Sequence, residues 1–291
     1  MRVCARCSKT FAGPDWRCPA CGHSPAIVDG FLAFAPELAA ENDGFAATSF
    51  EHLAALEAGH FWFVGRNALI AWAMRRYFPA AQKFLEIGCG TGFVLQGLKK
   101  ELPNLELSGS EIYCRGLDFA RARLPGVELV QMDARHIPFE SEFDVIGAFD
   151  VLEHIHEDQR VLGEMFRACR PGGGVLITVP QHRFLWSHVD DYSFHKRRYS
   201  RRELVEKVRR AGFSVSRVTS FVSLLLPMML LSRLRTGKSP ANFDPTAELR
   251  IGGLANAICG AAMTAERAAI RLGVSPPAGG SILLAARKPE A

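Results

Sequence analysis

The chain places a carboxylate directly before a run of glycines, which suits a ligand with a positive centre. Glu86 lies near the end of a buried apolar run, and Gly88, Gly90 and Gly92 follow it. Glycines let the backbone turn sharply and approach a ligand closely, and the helix predicted to follow directs free N–H groups at that ligand. The G-x-G-x-G spacing differs from the G-x-G-x-x-G of dinucleotide sites, because position 93 is Phe93. A P-loop is excluded, since no Lys-Ser or Lys-Thr follows.

A second carboxylate and several histidines follow later predicted strands. Glu111 lies about 20 residues after the glycines, the spacing at which a βαβ unit places an acceptor for ribose hydroxyls. His154 follows the fourth strand and His182 the fifth, while His195 belongs to a loop with other polar residues. A histidine that titrates near neutral pH is the natural group to take a proton from a hydroxyl. These residues predict a ligand site with a proton acceptor beside it.

The elements that would position these residues are alternating strands and helices, which indicate an α/β domain. Apolar runs predict strands at residues 84–87, 105–109, 127–130, 144–149, 175–179, 215–221 and 281–287. Ser200 and Glu203 form a capping box, so we expect a helix from Arg201 to Gly212. Ligands of open α/β sheets bind at the carboxyl ends of the strands. The glycine turn and the histidines should therefore meet at that edge.

The ordered motifs resemble those of class I S-adenosylmethionine-dependent methyltransferases of the ubiquinone-biosynthesis type. E-I-G-C-G-T-G at 86–92 is similar to the first family motif, and Glu111, M-D-A at 132–134, D-V-L-E-H at 150–154 and R-P-G-G-G at 170–174 follow in the family's order. The likeness covers residues 66–221 and 281–288, and the alternative is a dinucleotide-binding or ligand-free α/β domain. It implies a Rossmann-like seven-stranded sheet whose last strand is antiparallel. It also implies that S-adenosylmethionine is bound by Glu86, Gly88, Cys89, Gly90, Glu111, Ile112, Asp133, Ala134 and Phe149.

Four cysteines at the N-terminus have the spacing of a metal site. The pairs Cys4-x2-Cys7 and Cys18-x2-Cys21 each fit one tight turn, and two such turns give the four sulfurs that tetrahedral zinc prefers. About thirty residues can hardly form a stable buried core unless a bound metal cross-links them. We expect a zinc ribbon over residues 1–30, against the alternative of a reduced or disulfide-linked tail. Packing on the catalytic domain is favoured over RNA binding or subunit docking as its role.

Residues 31–65 are predicted to bridge the ribbon to the methyltransferase domain at 66–291. The bridge contains His60-Phe61-Trp62-Phe63, which resembles a segment preceding the glycine loop in bacterial relatives and is either core or a cofactor cover. Between the last two strands, residues 222–280 form an insertion too long for an ordinary loop. We expect it to be helical, with one helix at 249–272, and to act as a lid. Its apolar stretch at 221–231 could line a substrate pocket, form a homodimer contact or rest peripherally on a membrane.

Composition constrains partners only loosely. The chain has 291 residues, 48% hydrophobic and 22% charged, with a net charge of +5. This mild charge permits an anionic partner without requiring one. No secretory signal is visible, so we expect a cytoplasmic protein.

The resemblance leaves three functions open. The favoured one is methylation of a small-molecule acceptor, apolar or anionic, at oxygen rather than nitrogen or carbon, in a biosynthetic or envelope-related pathway. His154 is the first choice as the catalytic base, and His182 and His195 are the other candidate catalytic residues, although methyl transfer mainly requires alignment. The second is a ribosomal or transfer RNA base methyltransferase with the ribbon as its RNA-binding module. It is disfavoured because Asp150-Val151-Leu152 stands where exocyclic-amine methyltransferases carry Asn-Pro-Pro-aromatic. The third is a non-catalytic scaffold.

Overall fold

The structure is a computed structural model that describes residues 1–13, 15–39, 47–235 and 251–290. Its N-terminal part contains two hairpins and two helices. In chain order these elements are β1 (Arg2–Val3), β2 (Thr10–Phe11), β3 (Ala26–Val28), β4 (Phe31–Ala33), α1 (Ala47–Leu56) and α2 (Phe61–Tyr77). His60 caps α2, accepting a hydrogen bond on its Nδ1 from Trp62 N at 3.2 Å. The aromatic cluster at 60–63 thus provides the N-cap and the first turn of α2.

Alternating strands and helices build the next part. They are β5 (Lys83–Ile87), α3 (Phe93–Glu101), β6 (Glu106–Glu111), α4 (Cys114–Arg123), β7 (Glu128–Gln131), β8 (Phe143–Phe149) and α5 (Asp158–Ala168). The apolar runs of β5 and β8 are buried on both faces, as expected of central parallel strands.

The C-terminal part adds three strands and four helices within the described residues. They are β9 (Cys169–Pro180), α6 (His188–Tyr192), α7 (Arg201–Arg210), β10 (Ser214–Phe221), α8 (Leu226–Arg235), α9 (Gly253–Arg271) and β11 (Ser281–Arg287). Ser200 caps α7 as predicted, since its Oγ accepts a hydrogen bond from Glu203 N at 3.1 Å. A capping box with both reciprocal hydrogen bonds is present instead at Ser187 and Asp190, at the start of α6. The helix predicted at 249–272 begins at Gly253, and residues 249 and 250 lie outside the described part of the chain.

One mixed sheet organises the fold, with strand order β10-β11-β9-β8-β5-β6-β7-β4-β3. The strands β9, β8, β5, β6, β7 and β4 run parallel to one another. β11 is antiparallel to both β9 and β10, and β3 is antiparallel to β4. Helices α2, α3 and α4 pack on one face of the sheet and α5 and α7 on the other. The Rossmann-like sheet with an antiparallel last strand is confirmed.

The sheet has nine strands rather than seven, because the hairpin β3–β4 joins it. β4 pairs in parallel with β7 through Leu32–Val130 and Ala33–Gln131. An exposed edge strand carries unpaired N–H and C=O groups, and the apolar hairpin covers the edge of β7. The predicted boundary at residue 30 therefore falls inside this hairpin, between β3 and β4.

β9 begins at Cys169 instead of 175, because the Pro-Gly-Gly-Gly stretch continues the strand. A Cβ on Gly173 would lie 2.4 Å from Asp144 O, and one on Gly174 would lie 2.2 Å from Ala286 O. Glycine therefore permits the close approach of the neighbouring strands at this point.

The described part of the insertion between β10 and β11 packs on α2 and on the turn after β9. α9 lies mainly against α2, where Met263 Cε would be 2.7 Å from a Cβ on Gly65. α8 contacts the turn at Arg183–Leu185, after β9. Among the described residues, no helix combines the length and apolar character needed to cross a membrane.

We predict that Glu266 fastens the insertion to the sheet. This buried carboxylate in α9 accepts hydrogen bonds from Val222 N and Ser223 N, both at 2.7 Å, where the chain leaves β10. Glu266→Ala should lower the free energy of unfolding by about 2–3 kcal/mol, because two buried N–H groups lose their acceptor. Thermal and urea denaturation measure it. The exposed Thr264→Ala in the same helix is the control, and equal effects of the two substitutions would contradict the prediction.

Candidate functional site

The turn between β5 and α3 needs glycine at three positions. Gly88, Gly90 and Gly92 have φ values of +65°, +51° and +75°, in the left-handed region. A Cβ on Gly88 would lie 2.5 Å from Val151 Cγ2, and one on Gly92 would lie 3.1 Å from Ala120 Cα. Around Gly90 the nearest atom to such a Cβ is 3.9 Å away, in the ring of Phe50. The turn is thus packed at both ends and open at Gly90, where a ligand can approach the backbone.

Glu86 brings a buried carboxylate to this turn. The residue is 2% exposed, and its Oε2 has no hydrogen-bond partner. Burial raises the pKa of Glu86 well above its usual range, while the charge of Arg66 opposes that shift. A buried oxygen without a partner costs free energy unless a ligand supplies a donor. An ammonium group fits this requirement.

Glu111 ties the end of β6 to the same turn. Its Oε2 accepts a hydrogen bond from Gly90 N at 3.0 Å, and its Oε1 accepts one from Ile112 N at 2.8 Å. Burial raises the pKa of Glu111, and these backbone donors work against the rise. The ring of Phe50, from α1, lies over this point, 2.9 Å from where a Cβ on Gly116 would be. Glu111 therefore lies beside the open backbone at Gly90, beneath an aromatic cover.

A polar contact that no local sequence pattern predicts also holds the segment that carries Phe50. Glu57, just after α1, accepts from Thr91 Oγ1 at 2.7 Å on both oxygens, and Arg123 Nη1 donates to Glu57 at 2.9 Å. Thr91 lies in the glycine turn itself. The segment around α1 is thus held to the turn by the hydrogen bonds of Thr91 and to the end of α4 by the ion pair with Arg123.

The remaining predicted cofactor residues divide into two groups. Ile112 follows Glu111, and Asp133 and Ala134 follow β7 at the same edge of the sheet. Burial would raise the pKa of Asp133, but hydrogen bonds from Arg135 hold it below the usual range. The side chains of Cys89 and Phe149, by contrast, face the core: Phe149 stacks on Phe84 with ring centroids 6.5 Å apart. Contacts of these two with a cofactor would have to come from their backbone.

A buried ion pair lies next to this site. Arg66, from α2, pairs with Asp150, which follows β8 and also accepts a hydrogen bond from Thr178 Oγ1 at 3.0 Å. Asp150 has a φ of +58°, a conformation that non-glycine residues rarely adopt. The guanidinium of Arg66 packs over the ring of Trp62, 4.4 Å from its centroid. Asp150 begins the D-V-L-E-H motif, but neither Arg66 nor Asp150 is among the site residues predicted from the sequence.

Two of the three predicted catalytic histidines meet beyond Asp150. The rings of His154 and His195 are in edge contact, with centroids 4.6 Å apart. Burial, together with the charges of His195 and Lys196, lowers the pKa of His154 to about 3. Glu153 lies beside them with both oxygens buried and without a partner, and burial raises its pKa well above the usual range. His154 is therefore neutral at physiological pH, and Glu153 favours its neutral acid form.

His195 is oriented by a buried carboxylate. Its Nδ1 lies 2.8 Å from Asp190 Oδ1, and Arg198 binds both oxygens of Asp190 at 2.8 and 2.9 Å. Burial would raise the pKa of Asp190, but His195 and Arg198 hold it well below its usual range. An ionised Asp190 favours the tautomer of His195 that carries its proton on Nδ1, leaving Nε2 free to accept one.

His182 lies at the same rim but outside this pair. It has a φ of +63°, and its ring stacks on Phe184 with centroids 4.7 Å apart. Burial and the charge of Arg198 lower its pKa, and its Nε2 is buried without a hydrogen-bond partner.

The described residues contain two groups with metal-like spacing, and one fits zinc closely. The sulfurs of Cys4 and Cys21 are 3.6 Å apart and those of Cys7 and Cys18 are 3.7 Å apart. Sulfurs about 2.3 Å from a tetrahedral zinc ion lie about 3.8 Å from one another. The four cysteines therefore suit a structural zinc ion. The second group is Glu153, His154 and His195, whose candidate ligand atoms lie within 4.8 Å of one another.

The ribbon docks at the edge of the sheet opposite the glycine turn. Its first residue pairs with Glu142, just before β8, and Arg2 forms a bridge with Phe139. Lys83, at the start of β5, also pairs with Glu142, at 3.0 Å. These residues mark the amino ends of the strands, whereas Glu86 and Glu111 lie at the carboxyl ends. A strand of five residues separates the two edges by about 15 Å or more.

Comparison with known proteins agrees with this geometry. Residues 85–177, which contain the glycine turn, Glu111 and Asp150, match a family model described as "Methyltransferase domain". Over these residues the chain is therefore similar to methyltransferases. It is 28% identical over 163 residues to a protein of Mycolicibacterium smegmatis named "Probable S-adenosylmethionine-dependent methyltransferase", covering 54% of this chain and 60% of that one.

Two further similarities place the methyltransferase domain among its relatives. The malonyl-[acyl-carrier protein] O-methyltransferase of Methylococcus capsulatus is 28% identical over 185 residues, covering 60% of this chain and 65% of the relative. Phosphoethanolamine N-methyltransferase 2 of Haemonchus contortus, solved with S-adenosyl-L-methionine, matches with a TM-score of 0.55 at 19% identity, over 85% of this chain and 61% of that one. The chain thus spans less than two thirds of the length of these three proteins.

We predict that Glu111 governs cofactor affinity in the methyltransferase domain. Glu111→Ala should weaken S-adenosylhomocysteine binding at least tenfold, because the ribose would lose its bidentate acceptor. Isothermal titration calorimetry measures the affinity. Glu106→Ala, on the exposed start of the same strand, is the control. Unchanged affinity in Glu111→Ala would contradict the assignment.

We predict one tightly bound zinc ion in the ribbon. Elemental analysis of the purified protein should give about one zinc per chain, and Cys18→Ser should lose it with a lowered melting temperature, because Cys18 is buried among the other three sulfurs. Cys259→Ser, a buried cysteine far from the ribbon in sequence, should retain the zinc. Full zinc content in Cys18→Ser would contradict the four-cysteine site.

Proposed function

We propose that this chain transfers the methyl group of S-adenosylmethionine to a hydroxyl of a small molecule, with His195 as the proton acceptor. The observation that carries the proposal is the Asp190–His195 pair, which adjoins Glu153 and His154 just beyond the carboxyl end of β8. That edge also carries Glu86 and Glu111. Cofactor and proton acceptor would therefore share one edge of the sheet.

The chain's own residues account for cofactor binding. Glu86 would pair with the ammonium group of the methionine part, because its Oε2 is buried without a partner. The backbone at Gly90 would approach the cofactor, while Glu111 would hold the ribose hydroxyls. Ile112, Asp133 and Ala134 would line the adenine side. When bound, S-adenosylmethionine supplies an electrophilic methyl group on a sulfonium centre.

His195 and His154 have different roles on the acceptor side of the site. Asp190 stabilises the imidazolium that forms when His195 Nε2 takes the hydroxyl proton, so His195 is the base. His154 remains neutral because its pKa is lowered to about 3, and it holds the ring of His195 edge-on. Glu153, in its neutral acid form, would donate a hydrogen bond to the acceptor. His182 would border the acceptor from the far side of Arg198.

The names of the relatives support a small-molecule acceptor, and one of them, the malonyl-[acyl-carrier protein] O-methyltransferase, is named for transfer to oxygen. Others are named for phthiotriol dimycocerosates or for transfer to nitrogen. The exposed apolar side chains Phe184, Met228 and Leu231, from the turn after β9 and from α8, would border an apolar acceptor. On this view residues 222–280 act as the lid expected from their position. A homodimer or peripheral membrane contact through this surface stays a secondary proposal.

The position of the ribbon weighs against the RNA alternative. A ribbon that delivered RNA to the active site would have to lie at the carboxyl edge, but it docks at the amino edge through Arg2 and Phe139. The scaffold alternative is weakened by Glu86, since a protein that binds no cofactor gains nothing from a buried carboxylate oxygen without a partner. We retain residues 66–291 as the catalytic domain and a cytoplasmic location as parts of the proposal.

We predict that His195→Gln abolishes most of the turnover and leaves cofactor binding intact. Wild-type protein would first be screened for S-adenosylhomocysteine formation with hydroxylated lipids, acyl carriers and saccharides. With the acceptor found, His195→Gln should lower kcat by about 10²–10³, because general-base catalysis contributes that much. Binding of S-adenosylhomocysteine should change less than twofold.

The matched control is His136→Gln, an exposed histidine on the segment between β7 and β8. It should retain the wild-type kcat. A His195→Gln enzyme that keeps its kcat would show that the acceptor needs no base from this residue, whereas a screen without any turnover would count against the small-molecule assignment.

A further inference from the structure

The segment that joins β7 to β8 carries two predicted cofactor residues but no helix, and all of residues 132–142 are described. It starts at the carboxyl edge with Met132, Asp133 and Ala134 and returns to the amino edge at Phe139. A helix between parallel strands normally packs on the sheet and fixes such a connection. Here other parts of the chain must fix it.

Residues 1–13 and 15–39, here called the N-terminal module, hold the amino end of this segment. Val3 N donates to Pro138 O at 2.9 Å. Trp16, from the ribbon, packs edge-on against Phe139 and Phe34 with ring centroids 5.4 and 4.5 Å apart. Arg167 of α5 also donates to Phe139 O, at 2.7 Å, so the amino end has support from both sides.

The same module holds the carboxyl end through Gln131, the last residue of β7. Gln131 is fully buried, and its amide exchanges two hydrogen bonds with the backbone of Ala35: Ala35 N donates to Oε1 at 3.1 Å, and Nε2 donates to Ala35 O at 2.7 Å. Nε2 also donates to Ile112 O at 3.0 Å. One side chain thus connects the N-terminal module to the residue that follows Glu111.

We propose that the N-terminal module is a positioning element of the cofactor site and acts through Gln131. Gln131 lies between the two cofactor-side segments, because Ile112 accepts its hydrogen bond and Asp133 follows it by two residues. Its amide can satisfy Ile112 O only while Ala35 keeps the side chain oriented. Loss of the module's packing would therefore move Ile112 and release the start of the segment at Asp133.

This inference rests on the proposed use of Ile112, Asp133 and Ala134 for the adenine side of S-adenosylmethionine. It assigns the ribbon and hairpin a role at the carboxyl edge although the ribbon itself docks at the amino edge. The contacts run from Trp16 to Phe34, along the β4–β7 pairing, and from Ala35 to Gln131.

The first experiment compares Gln131→Leu with Val130→Ala by calorimetric titration of the full chain with S-adenosylhomocysteine. Leucine keeps the size of glutamine but lacks the amide, so Ile112 O and the Ala35 backbone lose their partners. Val130→Ala removes buried apolar atoms from the same strand and leaves the Gln131 contacts in place. We expect Kd to rise about tenfold in Gln131→Leu and less than twofold in Val130→Ala.

Melting temperatures separate positioning from general loss of stability. If Kd rises in both variants in proportion to their loss of melting temperature, the effect is one of general stability and the proposal is overturned. An unchanged Kd in Gln131→Leu would also overturn it. Gln131→Glu keeps an acceptor for Ala35 N but lacks the Nε2 donor, so it should share most of the loss. If the wild-type protein does not bind S-adenosylhomocysteine, both the proposed cofactor site and this inference are overturned. If the wild-type protein binds it and Gln131→Leu and Val130→Ala have the same Kd, only this inference is overturned.

A double-mutant cycle tests whether the ribbon acts through Gln131. Trp16→Ala removes the packing between ribbon and hairpin without touching Gln131, and should raise Kd about threefold in the wild-type background. In the Gln131→Leu background the same substitution should leave Kd unchanged within error. If Trp16→Ala raises Kd by the same factor in both backgrounds, the ribbon influences the site independently of Gln131, and the proposed role of Gln131 is overturned.

Discussion

The carboxyl edge of the sheet depends on the cation of Arg66. This guanidinium pairs with Asp150, and its charge opposes the rise in pKa that burial imposes on both Glu86 and Glu153. Buried carboxylates are costly because desolvation disfavours their charged form. Without Arg66 the pKa of both carboxylates would rise further. Glu86 would then be less able to pair as a carboxylate with an ammonium group.

The position of Arg66 in the site depends on α2, and contacts with α9 of the insertion hold α2 in place. Asn256 of α9 accepts from Phe61 N and donates to Gly59 O, both at 2.9 Å, which fixes the start of α2. Farther along, Met263 packs on Gly65, next to Arg66. On the opposite side Asn67 donates to Phe93 O at 2.9 Å, at the start of α3. The long connection between β10 and β11 therefore reaches the site through α2 as well as through α8.

The parts predicted from sequence are those decided by local pattern. The glycine turn, the central strands, the helix cap at Ser200 and the four-cysteine spacing each depend on residues close together in the chain. The missed parts depend on distant pairs: Arg66 and Asp150 are 84 residues apart, and Gln131 and Ala35 are 96 apart. The hairpin β3–β4 was missed for the same reason, since Leu32 of β4 pairs with Val130 of β7, far along the chain. The pattern of apolar residues within one segment cannot predict such long-range pairings.

The distribution of cysteines follows from the reactivity of the cofactor. A sulfonium methyl group alkylates thiolates, so thiolates near it would compete with the acceptor. Cys89 lies in the glycine turn itself, but burial and the charges of Glu86 and Glu111 raise its pKa well above the usual range. It therefore stays a thiol, which is a poor nucleophile. The four cysteines of the ribbon, which would be thiolates with zinc bound, belong to the part of the chain that docks at the opposite edge. That position keeps their sulfurs away from the cofactor edge.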